Sequence, residues 1–593
     1  MPENDLLSTL NELLGRAVGA AFGEQYGDID PILRPAQNPK FGDYQANLAM
    51  ALAKQVKQKP REVAEAIVAK LREDTEADRL FETIDIAGPG FINLRLTAEA
   101  LDHYAAAMLD DDRLGVPAGP AETVVVDYSG PNVAKEMHVG HLRSSVIGDA
   151  IARVLTFQGY DVIRQNHLGD WGTQFGMLIE YLADTGWTPG SAQEAGATDT
   201  LIGDLNRLYR EAKQKFDADA DFADRSRKRV VALQAGDAAT VELWRDLVAE
   251  SKHHFNAVYE RLGVSLTDRD VRGESFYNDL LPGVIEGLDT AGLLEESQGA
   301  AVVFLEGYQD REGEPLPLIV RKGDGGYLYA TTDLAAARYR VDELGARRVI
   351  YVTDARQSQH FAMVFATLRK AGWADDAIRL DHVAFGTVLG PDRKPFKTRS
   401  GDTVRLADLL DEAERRAEAV LAEKNTELSA NERQEIAHVV GIGALKYADL
   451  SNDRIKDYVF DWDRMLAFDG NTAPYLQNAY VRIRSIFRKG QRDADHVRSE
   501  TISVLQPTER ALVLKLLQWP TTVAAVADSL EPHRLCTFLY ELASAYHQFY
   551  EQCPVLSADE VTMRESRLAL CELVARTLRQ GLDLLGIDVV EQM

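Results

Sequence analysis

Two kinds of hydrophobic pattern alternate over the first two thirds of the chain, and only one persists in the last third. Residues 1 to 112 carry apolar positions at helical spacing, broken by the strand-like runs ETIDIAG and GFINLRL, and are followed by DDDRLGVPAGPAE, whose charge, glycine and proline mark a linker. From Thr123 the run TVVVDY reads as a buried strand. Beyond a loop, Leu142, Val146, Ile147, Ala150, Ile151, Val154 and Leu155 recur at 3.6-residue spacing, Gly159 ends that helix, and DVIRQN reads as a second strand. Strand, helix and strand this close together form a βαβ unit, which implies a parallel sheet. More strand runs (AVVFLEG, PLIVRK, RRVIYVT and HVAFGTVLG) come only after a polar, largely helical stretch at about 185–260, read as an insertion that interrupts the sheet. After Val404 strand signals vanish, and amphipathic helical patterns with breaks at Pro520, Pro532 and Pro554 run to the end.

These patterns predict three parts: an α+β N-terminal domain over 1–112, an α/β Rossmann-like parallel-sheet domain over 113–404, and an all-α domain over 405–593. A length of 593 residues agrees, being too great for one core. Lys and Arg number 66 against 93 Asp and Glu, a formal charge of -27, so any polyanion must be met by local basic patches and not by the whole surface. Cys536, Cys553 and Cys571 are odd in number and form no CxxC pair, which signals reduced core thiols, neither a disulfide framework nor a zinc site. No apolar run approaches the roughly 18–20 residues that cross a bilayer, and the expectation is a soluble, cytoplasmic protein without a membrane partner.

The candidate chemistry lies in DYSGPNVAKEMHVGHLRSS, residues 127–145, between the first strand and its helix. Ligands of open parallel sheets bind beyond the carboxyl ends of the strands. There Gly140 lets a flat ligand approach the backbone, the helix N-terminus offers N–H groups and a positive dipole to an anion, and His138 and His141 add donors for phosphate oxygens. The pattern points to nucleotide binding. A competing reading has the histidine simply capping the helix.

HVGH after a first strand resembles the HIGH signature of class I aminoacyl-tRNA synthetases. The words SGPNVAKEMHVGHLRS, NHLGDWGTQFG, GESFYN, YLYATTDLAA, GALKYADLS and GNTAPYLQ resemble those of the arginyl-tRNA synthetases in particular, over nearly the whole chain. The resemblance implies activation of L-arginine with ATP and Mg2+ to arginyl-adenylate plus pyrophosphate, then transfer to the terminal adenosine of tRNA(Arg) by a monomer. It places His138, Gly140 and His141 at ATP, His141 also near the amino acid, and Asn132 at the substrate's α-amino or carboxylate group. It also makes the 405–593 region an anticodon-binding domain. A catalytically degenerate paralogue that only binds tRNA or senses arginine is the alternative.

A second signature is expected after the last strand, where FKTRSGDTV puts Lys397 at the first lysine position and Ser400 where a second lysine belongs. Lys135, just before HVGH, is the expected substitute, since a lysine is a point charge on a flexible stem. The resemblance gives the guanidinium to Tyr329 and Asp333, four apart on one helix face, with Gln357 in support. On the residues alone, an ordinary core tyrosine and a helix-start acid would do. For tRNA, Tyr475, Tyr480, Arg482 and Arg484, with Arg488, Lys489 and Arg492 behind them, combine charge and aromatic faces suited to unstacked bases, although a solvated basic helix with core tyrosines looks the same. Phe91 and Asn93 match positions that contact a D-loop base. His253 and His254 read as a solvated helix face.

Overall fold

The computed structural model describes residues 5–36, 38–186, 200–310, 312–396, 404–424, 428–497 and 502–593. Four strands, β1 (Leu33–Pro35), β2 (Tyr44–Ala46), β3 (Phe81–Ala87) and β4 (Phe91–Leu96), form an N-terminal antiparallel sheet in the order β1-β2-β4-β3. Only β3 and β4 correspond to the two runs legible in the sequence. β1 and β2 are three residues each, too short to show a period.

Strands β5 (Thr123–Asp127) and β6 (Asp161–Gln165) flank the helix Val139–Gln158 and pair in parallel. β7 (Glu295–Ser297), β8 (Ala300–Gln309) and β9 (Pro315–Arg321) come next in the chain, then β10 (Arg348–Tyr351) and β11 (Arg379–His382). The parallel sheet has the order β11-β10-β5-β6. AVVFLEG and PLIVRK therefore do not extend it. They are β8 and β9 of a separate antiparallel sheet, order β7-β8-β9, which shares a core of its own with Leu281, Val284, Leu334 and Val364. A two-residue strand β12 (Val388–Leu389) pairs in parallel with β13 (Tyr458–Val459), so one strand lies beyond Val404, where none was expected. The interruption between β6 and β7 holds the helices Thr200–Ala218, Ala220–Gln234 and Ala238–Leu262.

The helix Val139–Gln158 is buried on nearly every side, Arg143, Ser144, Ser145 and Asp149 included, because the sheet covers one face and the C-terminal helices Ala430–Leu450, Trp519–Ser529 and Val561–Leu584 reach the others. Its charges are paired. Arg143 and Asp449, 1% and 0% exposed, lie 3.1 Å apart, and Asp149 accepts from Arg153 Nε at 2.7 Å and from the Ser265 backbone at 2.8 Å.

Candidate active site

One buried cation levels the floor of the site. Arg340, 0% exposed, donates from Nη2 to Asp127 at 2.7 Å and from Nε to Gln165 at 2.7 Å, and its guanidinium lies 4.8 Å from the ring centroid of Tyr351. Those three residues end β5, β6 and β10. The carboxyl edges of three neighbouring strands are thus held by one planar fork.

Above this floor the HVGH turn makes a reciprocal cap. The Gly140 backbone N–H donates to His138 Nδ1 at 3.1 Å, and the His138 backbone N–H donates to His141 Nδ1 at 3.0 Å. A backbone N–H can only donate, so each Nδ1 is an unprotonated acceptor and each neutral ring carries its proton on Nε2. Burial holds the rings neutral. It pushes His141 down to about 3, with His138 adding to the effect, and it lowers His138, assisted by the nearby cations Arg356 and Lys135. Two parallel findings revise the sequence reading. The first-turn N–H groups are not open to an anion, since Val139 donates to Val404 O at 3.1 Å and His141 to His138 O at 2.8 Å. The space over Gly140 holds the His138 ring, whose Cε1 would lie 2.9 Å from a Cβ there. The loop therefore offers an anion two Nε2–H donors, with ring centroids 4.0 Å apart.

Asn132 is exposed at the end of the preceding turn, bridged to Gly169 in NHLGDWG. A Cβ at 169 would come 2.1 Å from Asn132 Oδ1, which is why glycine stands there. The Gly130 N–H donates to Asn166 Oδ1 at 3.0 Å, fixing the turn against β6. NHLGDWG in turn runs alongside GESFYN: the Glu274 N–H donates to Leu168 O at 3.0 Å, and Ser275 donates to Asp170 from its backbone at 2.8 Å and its hydroxyl at 2.7 Å.

Acidic groups gather here. Tyr329 opens the helix Tyr329–Asp342 and is 72% exposed, with Asp333 one turn later. His360 lies 2.6 Å from Asp333 Oδ2; an ionised carboxylate only accepts, so the imidazole donates. Glu274 feels both Asp170 and Asp333, and burial first, then those two charges, push its carboxyl up to about 8. Burial raises Tyr329 as well, with Glu274 contributing. Gln357 is exposed just beyond β10. Glu274 and His360 carried no role in the sequence reading. The only signal was that Glu274 lies in GESFYN and His360 three residues after Gln357. Among the described residues this cluster has no Lys or Arg partner, and carboxylates of this kind can meet a planar cation with paired hydrogen bonds.

Lys135 sits 4.9 Å over the ring of Tyr209. Lys397, Arg399 and Ser400 lie outside the described residues. The strand pairing at the edge of that segment is described: Val139 N–H to Val404 O, Leu406 N–H to Met137 O at 2.9 Å, and Arg405 3.5 Å from Glu136. The HVGH turn is therefore laced by backbone to Val404 and Leu406, at the end of the second signature segment. Beside them a cavity of about 20 Å³ is lined by Lys135, Glu136, Ser251 and His254. His254, expected on a solvated face, is buried with Nε2 3.4 Å from Glu250.

The RNA candidates divide. On the helix Ala473–Gly490, Arg482, Arg488 and Lys489 are exposed, and Tyr475 is half-buried with its hydroxyl 2.8 Å from His547. Tyr480 is 2% exposed and donates to Glu591 at 2.9 Å, while Arg484 pairs with Glu572 and lies over the rings of Tyr480 and Phe487. Tyr480 and Arg484 thus face the bundle and not the solvent, because the helix turns that edge toward Val561–Leu584. Asn93 is buried too, accepting from Gln45 at 2.8 Å, and Phe91 beside it is half-buried.

A parallel sheet carrying an HVGH turn at its carboxyl edge, a helical insertion and a helical C-terminal domain define a class I aminoacyl-tRNA synthetase. The profile described as tRNA synthetases class I (R), catalytic domain, matches residues 103–462; the DALR anticodon binding domain matches 476–593 and the arginyl tRNA synthetase N terminal domain 8–96. The chain is 54% identical over 577 residues to an arginine–tRNA ligase of Thermobifida fusca, covering 97% of this chain and 98% of that one. The crystal structure of arginyl-tRNA synthetase from Plasmodium falciparum superposes with a TM-score of 0.83 at 30% identity, covering 99% of both chains, and the Thermus thermophilus enzyme with 0.80 at 26%, covering 99% of this chain and 100% of that one. The chain belongs to the arginyl-tRNA synthetase family.

Proposed function

We propose that the chain activates L-arginine with ATP and transfers it to the 3'-terminal adenosine of tRNA(Arg). The observation that carries this reading is the cluster of Asp333, Glu274 and Tyr329, which has no Lys or Arg partner among the described residues, at the same sheet edge as a neutral histidine pair whose Nε2–H donors have no partner among the described residues. In the first step an oxygen of the arginine carboxylate attacks the α-phosphorus, the bond to the β-phosphate breaks, and pyrophosphate leaves. The nucleophile is already ionised, so no general base is needed, and catalysis consists of positioning and of meeting charge on the phosphate oxygens. His138 and His141 donate to those oxygens, with Lys135 and Lys397 at the triphosphate. Asn132 orients the α-amino or carboxylate group, and Tyr329, Asp333 and Gln357, joined by Glu274, hold the guanidinium. Among the described residues no three His, Cys, Asp or Glu side chains form a metal cage. Mg2+ would come with the triphosphate, the usual habit of that ion, and no step is assigned to it. The terminal adenosine's 2'-hydroxyl then takes the arginyl group and AMP leaves. Arg482, Arg488 and Lys489, with Tyr475 at their edge, face the anticodon arm, and Phe91 remains the N-terminal candidate. The protein acts as a cytoplasmic monomer.

The test is ATP-dependent attachment of labelled arginine to total tRNA, with lysine as control. Arginine alone should be attached, and His141→Ala should lose at least about a hundredfold, the effect of one missing transition-state donor. Binding of tRNA without any charging would instead mark the degenerate, non-catalytic alternative. No group of the described site favours that alternative.

A further inference from the structure

Lys135 is held in an unusual way for a cation in a chain with 93 acidic residues. Its ammonium lies 4.9 Å from the ring centroid of Tyr209, on the insertion helix Thr200–Ala218, and among the described residues it has no carboxylate partner. Its neighbour Glu136 is directed to Arg405 instead, 3.5 Å away. The charge of Lys135 is nevertheless felt at His138, so the ammonium stands beside the HVGH turn. A carboxylate in place of the ring would neutralise that charge and compete with any phosphate for it. An aromatic face holds a cation weakly and leaves its charge uncompensated, so that a phosphate can meet it without an ion pair to break. The tether comes from a helix outside the parallel sheet and limits the search of a four-carbon stem that otherwise loses much rotamer freedom on binding.

We propose that Tyr209 is a positioning residue for ATP: its ring holds the Lys135 ammonium beside the signature turn and keeps it there while the ammonium meets the triphosphate. This inference rests on the reading of the site as an arginine-activating centre. The experiment is arginine-dependent ATP–pyrophosphate exchange by the full chain with tRNA present, varying ATP at saturating arginine. Tyr209→Leu should lower kcat/KM for ATP by about three- to tenfold, the span of one cation–π contact, and leave the KM for arginine unchanged. Tyr209→Phe keeps the face and should restore the wild-type value. Tyr209→Glu should lose at least as much as the leucine variant, and its deficit relative to wild type should narrow as KCl is raised, because an exposed ion pair is screened. Combined with Lys135→Met, Tyr209→Leu should add nothing. A leucine variant within twofold of wild type for ATP, or losses that add in the double variant, would overturn the role of Tyr209 and leave only packing. A wild-type chain with no arginine-dependent exchange overturns the functional reading as well, and the two failures are told apart by that control.

Discussion

Glu274 is the residue on which the arginine pocket turns. In the free chain its carboxyl, pushed up to about 8 by burial and by the charges of Asp170 and Asp333, is largely protonated at neutral pH. The ordinary value is near 4.5, so between about 4.5 and 8 the folded chain holds a proton that the unfolded chain has lost, and this group costs stability as pH rises through that window. A bound guanidinium reverses the electrostatics and ionises the acid. Arginine affinity is therefore expected to rise as pH goes from 6 to 8, by at most about tenfold per unit, and to level off above 8, with proton release on binding. Calorimetry in buffers of different ionisation enthalpy measures both. Glu274→Gln should bind more weakly above pH 8 and flatten the profile, and a slope unchanged in that variant would assign the proton elsewhere. The sequence disclosed the parts of this site that are local. HVGH is contiguous, and Tyr329 and Asp333 are one helical turn apart. It could not disclose that Glu274 meets Asp333, or that His360 holds it, because those meetings depend on how separate strands and helices are stacked. The orientation of Tyr480 was hidden for a related reason: tyrosine and arginine suit either face of a half-buried helix, and only the packed neighbour decides.

At the scale of elements, the sheet edge depends on Arg340. The helix Tyr329–Asp342 precedes β10; Tyr329 opens it, Asp333 lies one turn later, and its last turn sends Arg340 into the floor. The buried cation touches the last residue of each of three parallel strands. Arg340→Met leaves the Asp127 carboxylate without its cation, and removing one member of a buried pair costs about 3–5 kcal/mol. Urea unfolding followed by far-UV circular dichroism should show a loss of this size, and arginine activation should fall with it. Pairing the change with Asp127→Leu should recover much of the stability, since apolar replacement of a whole buried pair is often neutral. The parallel core was legible because its apolar runs and intervening helix follow the βαβ rhythm. The β7-β8-β9 sheet was not distinguished from it, because AVVFLEG and PLIVRK are apolar runs of the same length as a parallel strand, and only their close succession hints at antiparallel pairing. β13 escaped notice since two residues carry no period.

For the whole molecule, the N-terminal unit is not a loose appendage. Arg510, on the C-terminal helix Pro507–Leu516, lies 2.5 Å from Asp43 Oδ2 and donates to Leu96 O at 2.7 Å, and the same Asp43 oxygen accepts the Leu96 N–H at 2.7 Å. The Val504 N–H donates to Asp102 at 2.7 Å, and Arg576 donates to Leu109 O and to Asp111 O. An acidic chain of net charge -27 gets little help from its overall field in holding a polyanion, so its few basic surfaces have to be presented in a fixed relation to one another. The docked N-terminal unit and the helical tail supply that relation from the two ends of the sequence. Arg510→Met leaves Asp43 with the Leu96 N–H as a partner, so the N-terminal sheet should stay folded while its seat on the tail loosens. The expected result is a rise of about ten- to 150-fold in the KM for tRNA, the worth of one lost charge-assisted contact, with the KM values for ATP and arginine unchanged. Limited proteolysis should cut faster in the stretch DDDRLGVPAGPAE that joins the unit to β5. Unchanged tRNA kinetics together with faster cleavage would show that the seat orders the N-terminal unit without serving tRNA. A parallel rise in the KM for arginine would mean instead that the tail transmits its position to the helix Val139–Gln158, through the buried pair of Arg143 and Asp449.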